Sequence, residues 1–273
     1  ATTTSFSITL PTTQAGDIII LEFTHRGTGD GTATGTYSGA APTLKHSQLF
    51  ATSAFSGKTF WTRATGNHTG QTIGRSGLTN SCAGIVTIYR GCVASGDPLA
   101  DATIVGEQNA SGNETQAGIT TATDGAWVVL VVSNSPDLAV ATQSSTSPGT
   151  LTERAERLST GGTDSSVAHA SAEKASAGGT GSLTWTQTNA ASGSWGYALV
   201  PANPILVTPG VLAMALTAFA PIVTATANML VTVGVLSLVL TTLAPTVSVS
   251  NHQLVTPGSA SLVATTFAPS VTI

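Results

Sequence analysis

From Leu206 onward the sequence repeats itself every 24 residues. Leu206-Val207-Thr208-Pro209-Gly210 returns as Leu230-Val231-Thr232-Val233-Gly234 and as Leu254-Val255-Thr256-Pro257-Gly258. Phe219-Ala220-Pro221 returns as Leu243-Ala244-Pro245 and Phe267-Ala268-Pro269. No insertion interrupts the period, and no Asp, Glu, Lys or Arg follows Lys174. An uncharged tandem tract points to assembly rather than chemistry. One short unit cannot bury its own apolar face, whereas stacked units can.

Each unit is expected to form two strands. The Pro-Gly step of the first and third units presets a turn, with Gly taking the left-handed position. Period-2 alternation then places Leu212, Met214 and Leu216 on one face, Leu236, Leu238 and Leu240 on the matching face of the second unit, and Leu262, flanked by Ala260 and Ala264, in the third. Each Ala-Pro step breaks the ladder, because Pro cannot donate a hydrogen bond. A second short strand follows it. The seven larger side chains, Leu212, Met214, Leu216, Leu236, Leu238, Leu240 and Leu262, are the expected assembly interface. Either another chain supplies the missing partner surface, or the three units close into a small sandwich or prism of their own.

Ahead of the repeats, residues 1–200 read as one β-domain, joined by a Pro-rich linker at 201–205 to the repeat region at 206–273. Charged residues are 8% of the chain, against roughly 25% in ordinary soluble domains. Thr, Val and Ile are plentiful where Lys and Glu are scarce, which favours strands over helices. No stretch shows a sustained 3.6-residue period. Residues 5–10 alternate. Residues 18–23 and 125–132 are apolar runs of strand length, expected to be covered on both faces. Further strands are expected at 44–50, 58–64, 84–89, 167–175, 182–188 and 195–200, with cores at 18–23, 84–89, 127–132 and 197–200. Residues 151–157, the densest charge in the chain, read as a solvated edge strand, and the Gly-rich stretch 27–39 as an exposed loop. The fold class is all-β: an N-terminal β-sandwich, jelly-roll-like, followed by a β-repeat region.

Several function classes lose their basis. Net charge is −4, with no basic patch for nucleic-acid phosphates. The most apolar window, 229–240, is too short and broken for a membrane helix. None of the five histidines has a ligand-like neighbour at metal spacing, and no hydrolase or phosphate-loop motif occurs. No catalytic residue, cofactor or metal is expected. His25 reads as a surface strand end, facing away from Glu22 by strand parity. Asp17, Asp30, Asp97, Asp101 and Asp124 read as turn-formers. Glu22 and Glu107 are the carboxylates a glycan-cleaving pair would need, but nothing in the sequence joins them. Cys82 and Cys92 pair only if the chain folds back between them; otherwise they are buried free thiols. Trp127 is expected in the core. Tyr37 and Trp61, near the Gly-rich stretch, are the candidates to face a ligand. The sequence opens Ala1-Thr2-Thr3-Thr4, without Met, as after removal of a Met or an upstream segment.

One combination of segments resembles a known group. Residues 15–21 (Ala-Gly-Asp-Ile-Ile-Ile-Leu), 85–91 (Ile-Val-Thr-Ile-Tyr-Arg-Gly), 124–129 (Asp-Gly-Ala-Trp-Val-Val) and 195–201 (Trp-Gly-Tyr-Ala-Leu-Val-Pro) resemble a β-sandwich domain of tailed-bacteriophage virion proteins. The Leu-Val-Thr-Pro-Gly and Phe-Ala-Pro units resemble repeats in phage structural proteins. The resemblance implies a capsid decoration protein, head fibre or tail-associated adhesin, and it carries no catalytic residues. The expectation is a non-enzymatic component of the outer virion surface, a homotrimer that contacts other virion proteins such as the major capsid protein. The alternative is a carbohydrate-binding adhesin module of a tail fibre or bacterial surface, with a host surface glycan as partner.

Overall fold

Seventeen strands and no helix occupy the described part of the computed structural model, which covers residues 4–50, 55–78, 80–109, 114–159, 165–188 and 190–202. In chain order the first nine are β1 (Phe6–Thr9), β2 (Ile18–His25), β3 (Thr32–Gly35), β4 (Thr43–Phe50), β5 (Phe55–Arg63), β6 (Thr72–Ser76), β7 (Cys82–Tyr89), β8 (Val105–Asn109) and β9 (Glu114–Gln116). The remainder are β10 (Thr120–Thr121), β11 (Ala126–Asn134), β12 (Val140–Ser145), β13 (Thr150–Ser159), β14 (Ser165–Lys174), β15 (Gly178–Gly179), β16 (Leu183–Gln187) and β17 (Ser192–Leu199). All belong to the unit spanning residues 1–203. Leu212, Met214, Leu216, Leu236, Leu238, Leu240 and Leu262 lie outside the described residues, as does the end of the linker.

The strands stack in layers, as a β-sandwich does. A three-stranded sheet, β1-β6-β3, covers one face of a four-stranded sheet, β4-β5-β2-β7. The other face of that sheet packs on an eight-stranded sheet, β8-β17-β11-β14-β13-β12-β16-β9. The large sheet curls towards closure. Its two end strands are tied by the Gln116 side-chain amide, which donates to the Val105 carbonyl at 2.8 Å, and by Ala117 N–H, which donates to Glu107 Oε1 at 2.8 Å.

This layering explains the apolar runs. In β2, Ile18 and Ile20 face the large sheet, while Ile19, Leu21 and Phe23 face the outer three-stranded one. In β11, Val129 and Val131 face the four-stranded sheet, while Val128, Leu130 and Val132 point into the curl of their own sheet with Leu183 and Trp185. A strand covered on both sides needs no polar face, so alternation disappears. Of the four segments expected to form the core, β2, β11 and β17 are central strands. β7 is an edge of its sheet.

Residues 150–159 pair with β14 along most of their length but with β12 only at Thr150 and Leu151, so the charged segment 153–157 has a ladder partner on one side only, as a solvated edge does. Three expectations need correction. The Gly-rich stretch contains β3, which is exposed along its length yet pairs with β6. His25 is fully buried beside Phe23, at a ring-centroid distance of 5.9 Å. Trp127 is only partly buried and carries the Arg154 guanidinium 5.4 Å from its ring centroid. Cys82 and Cys92 are both buried, and they are not bonded to each other.

Candidate functional site

The densest chemistry in the described residues sits between the four-stranded and eight-stranded sheets. Strand parity puts Glu22 on the same face of β2 as Ile18 and Ile20, so its carboxylate points into an apolar inter-sheet core. It is sustained there by partners from the opposite sheet. His169 Nδ1 lies 2.6 Å from Glu22 Oε2, and the Tyr197 hydroxyl donates to Glu22 Oε1 at 2.7 Å. The other ring nitrogen, His169 Nε2, lies 2.6 Å from the Tyr89 hydroxyl on β7. A carboxylate that accepts at both oxygens assigns the Nδ1 proton to the histidine and leaves Nε2 facing the tyrosine. Four strands, β2, β7, β14 and β17, thus contribute one residue each.

Burial is the main influence on the two phenols. It raises both above the ordinary tyrosine range, and the nearby Glu22 adds to this effect. Both remain neutral donors at any physiological pH. The order tyrosine–histidine–carboxylate is the order of an acid–base relay, but Glu22, His169 and Tyr197 are fully buried. Tyr89, at the outer end, borders a groove of about 450 Å³ with Trp127 and Arg154. The cluster acts as a polar bolt: a buried polar group costs free energy unless it is hydrogen-bonded, and this carboxylate is satisfied only when the two sheets are docked in register. Trp195 makes a second cross-sheet link, donating from Nε1 to Thr59 Oγ1 at 2.7 Å.

The ligand-facing candidates do not converge. Trp61 packs against the core between the large and four-stranded sheets, and Tyr37 against the core on the other side of that four-stranded sheet. Tyr37 meets His68 edge-on at 4.8 Å and borders a pocket of about 260 Å³ with Pro42 and Arg75. Burial raises its phenol above the usual range. Glu22 and Glu107 do not form a pair either. The first is locked in the bolt, and the second accepts from the Ala117 amide between β9 and β10.

The turn aspartates divide by partner. Asp17 accepts from Gln14 N–H and Asp97 from Leu99 N–H, both local turns. Asp101 and Asp124 instead latch distant loops through Ala122 and Ala177 N–H, and Asp30 pairs with the buried Lys58 at 2.8 Å. Asp17 also receives both Nε and Nη2 of Arg90 at 2.9 Å. Among the described residues no group of three or more His, Cys, Asp or Glu is placed to hold a metal ion. No helix among them is long and apolar enough to cross a membrane.

Sequence reasoning missed the bolt entirely. Its members lie 80, 147 and 175 residues apart in pairs. The available signal was Glu22 itself, a carboxylate in the middle of an apolar strand that requires a buried partner. Comparisons with family models, with curated proteins and with solved structures returned no match.

Proposed function

We propose that the protein is a non-enzymatic structural component of a bacteriophage virion, a capsid decoration or fibre protein. It assembles as a homotrimer through the uncharged repeats and projects its β-domain outward. One observation carries this reading: two 24-residue units and a shorter third in the same register, without a charged residue, follow directly on a β-domain. Apolar burial at about 25 cal/mol per Å² drives association of such a tract, and the absence of charge makes that association insensitive to salt. The β-domain supports the reading in a second way. Its most reactive-looking residues are consumed in holding sheets together, which suits a rigid projecting module. Cryo-electron microscopy of purified particles tests it. Density for the β-domain on the outer surface, against the major capsid protein or a tail protein, supports the assignment; particles lacking the chain refute it.

The carbohydrate-binding reading would rest on Trp61 and Tyr37, which stand on opposite sides of one sheet. A glycan array with Trp61→Ala and Tyr37→Ala discriminates. Loss of a specific glycan signal in either variant favours the adhesin.

A further inference from the structure

Strand β7 pairs with β2 along one side and, among the described residues, with no strand along the other. That open side lies at the base of two grooves that meet at Val86. The larger, about 850 Å³, follows residues 82–86, with β1 as one wall and residues 155–159 of β13 as the other. The second, about 450 Å³, continues along residues 86–90 to Pro11, Trp127 and Arg154. A nine-residue edge is therefore flanked along its length, on one side by the outer sheet and on the other by the large sheet. Nine extended residues span roughly 30 Å.

Such an edge presents alternate backbone N–H and C=O groups without ladder partners, which is the template for adding a strand. The walls define what the added strand would carry. Arg157 pairs with Val167 and Ala155 with His169, so both face the layer of the four-stranded sheet. Arg157 borders the larger groove beside Glu156, and Arg154 borders the second, where the guanidinium of Arg90 is already taken by Asp17. Glu156 itself is engaged by the Val140 N–H at 2.6 Å. The chain has nine basic residues and a net charge of −4, so Arg154 and Arg157, without an ion pair among the described residues, make this edge locally basic. The β1 wall offers the partly buried Phe6 and Ile8 instead.

We infer that the open edge of β7 accepts an extended strand of a partner protein as a fifth strand of its sheet. This strand alternates carboxylates, facing Arg154 and Arg157, with apolar side chains facing Phe6 and Ile8. Main-chain pairing supplies affinity, and the arginines select the sequence and its register. The uncharged repeats of the chain itself leave the arginines without counter-charges, so an acidic segment fits better.

The test uses the full chain and a labelled nine-residue peptide alternating Glu with Val and Thr, read by fluorescence anisotropy and by hydrogen exchange. The expected result is saturable binding with slowed exchange confined to residues 82–90. Binding should weaken about tenfold for the peptide with Lys in place of Glu, and about tenfold for one N-methylated at alternate residues, which cannot pair. Arg157→Glu should weaken it by about fivefold while leaving the thermal midpoint of the exposed-site variant unchanged. Equal binding of the N-methylated peptide, protection elsewhere in the chain, or no peptide binding at millimolar concentration would overturn the inference. So would Arg157-dependent binding of polygalacturonate with no peptide binding, which would make the groove a site for acidic glycans.

Discussion

Glu22 and His169 stand 147 residues apart in the chain and 2.6 Å apart in space, each fully buried, on facing sheets. Neither has a reason to be polar in an apolar core except the other. Their contact, with Tyr89 and Tyr197 attached, makes the docking of the two sheets specific rather than merely hydrophobic.

Removing one partner should therefore cost more than removing both. His169→Ala strands a buried carboxylate and should destabilise by about 3–5 kcal/mol in urea unfolding. Tyr197→Phe, which deletes one donor to Glu22, should cost about 1–3 kcal/mol. The double variant Glu22→Leu/His169→Leu should be less destabilised than His169→Ala, because apolar groups of similar volume leave no charge uncompensated. A loss of under about 0.5 kcal/mol for His169→Ala, typical of a surface site, would contradict the bolt.

Stability should decline on the alkaline side. Burial pushes the Cys92 thiol up to about 11, and burial also raises Tyr89 and Tyr197. A group whose folded-state pKa is raised holds its proton in the folded protein after the unfolded chain has lost it. The unfolded state then binds fewer protons, so stability falls as pH rises. For Cys92 the contribution is intact below about pH 9, the range of a free thiol, and is lost as pH rises through about 11. Urea midpoints measured across this window should fall, and Cys92→Ala should flatten the decline. A midpoint that rises with pH in this window would contradict the assignment.

The core between the sheets tolerates little added volume at Gly57. A Cβ there would lie 2.2 Å from Trp195 Cζ3 and 3.1 Å from Phe50 Cε2. Trp195 and Phe50 are fully buried, so neither ring has space to retreat. Gly57→Ala should cost about 1–3 kcal/mol through overpacking, measurable as a lower thermal midpoint. A neutral effect would mean that the two rings pack more loosely than their contacts indicate.

Strands were legible where layering left a plain pattern. The run Val128–Val132 reads as a doubly covered strand because both of its faces are apolar. Polar strands were legible only in part: β4, β13 and β16 were expected, whereas β3, β6 and β12 were not. β6 carries Gly74 and Arg75, and neither suggests burial from sequence alone. Yet a Cβ on Gly74 would come within 2.0 Å of the Phe6 carbonyl oxygen, and Arg75 stacks 3.7 Å from the Phe60 ring centroid. β12 is short and polar, and it is recognisable only through its neighbours β13 and β16. The charges of β13 were legible as an edge, and the charged segment does pair with a strand on one side only. Trp127 was misplaced because an apolar strand does not reveal which of its ends emerges at the surface. The polar bolt depended on sheet-to-sheet pairing, which leaves no local pattern.

Assembly through the uncharged repeat tract is read directly from the mass of the full chain by light scattering at low and high salt. A salt-resistant species of about three times the 27.2 kDa chain mass is expected. A stable monomer of 27.2 kDa at both ionic strengths would contradict it.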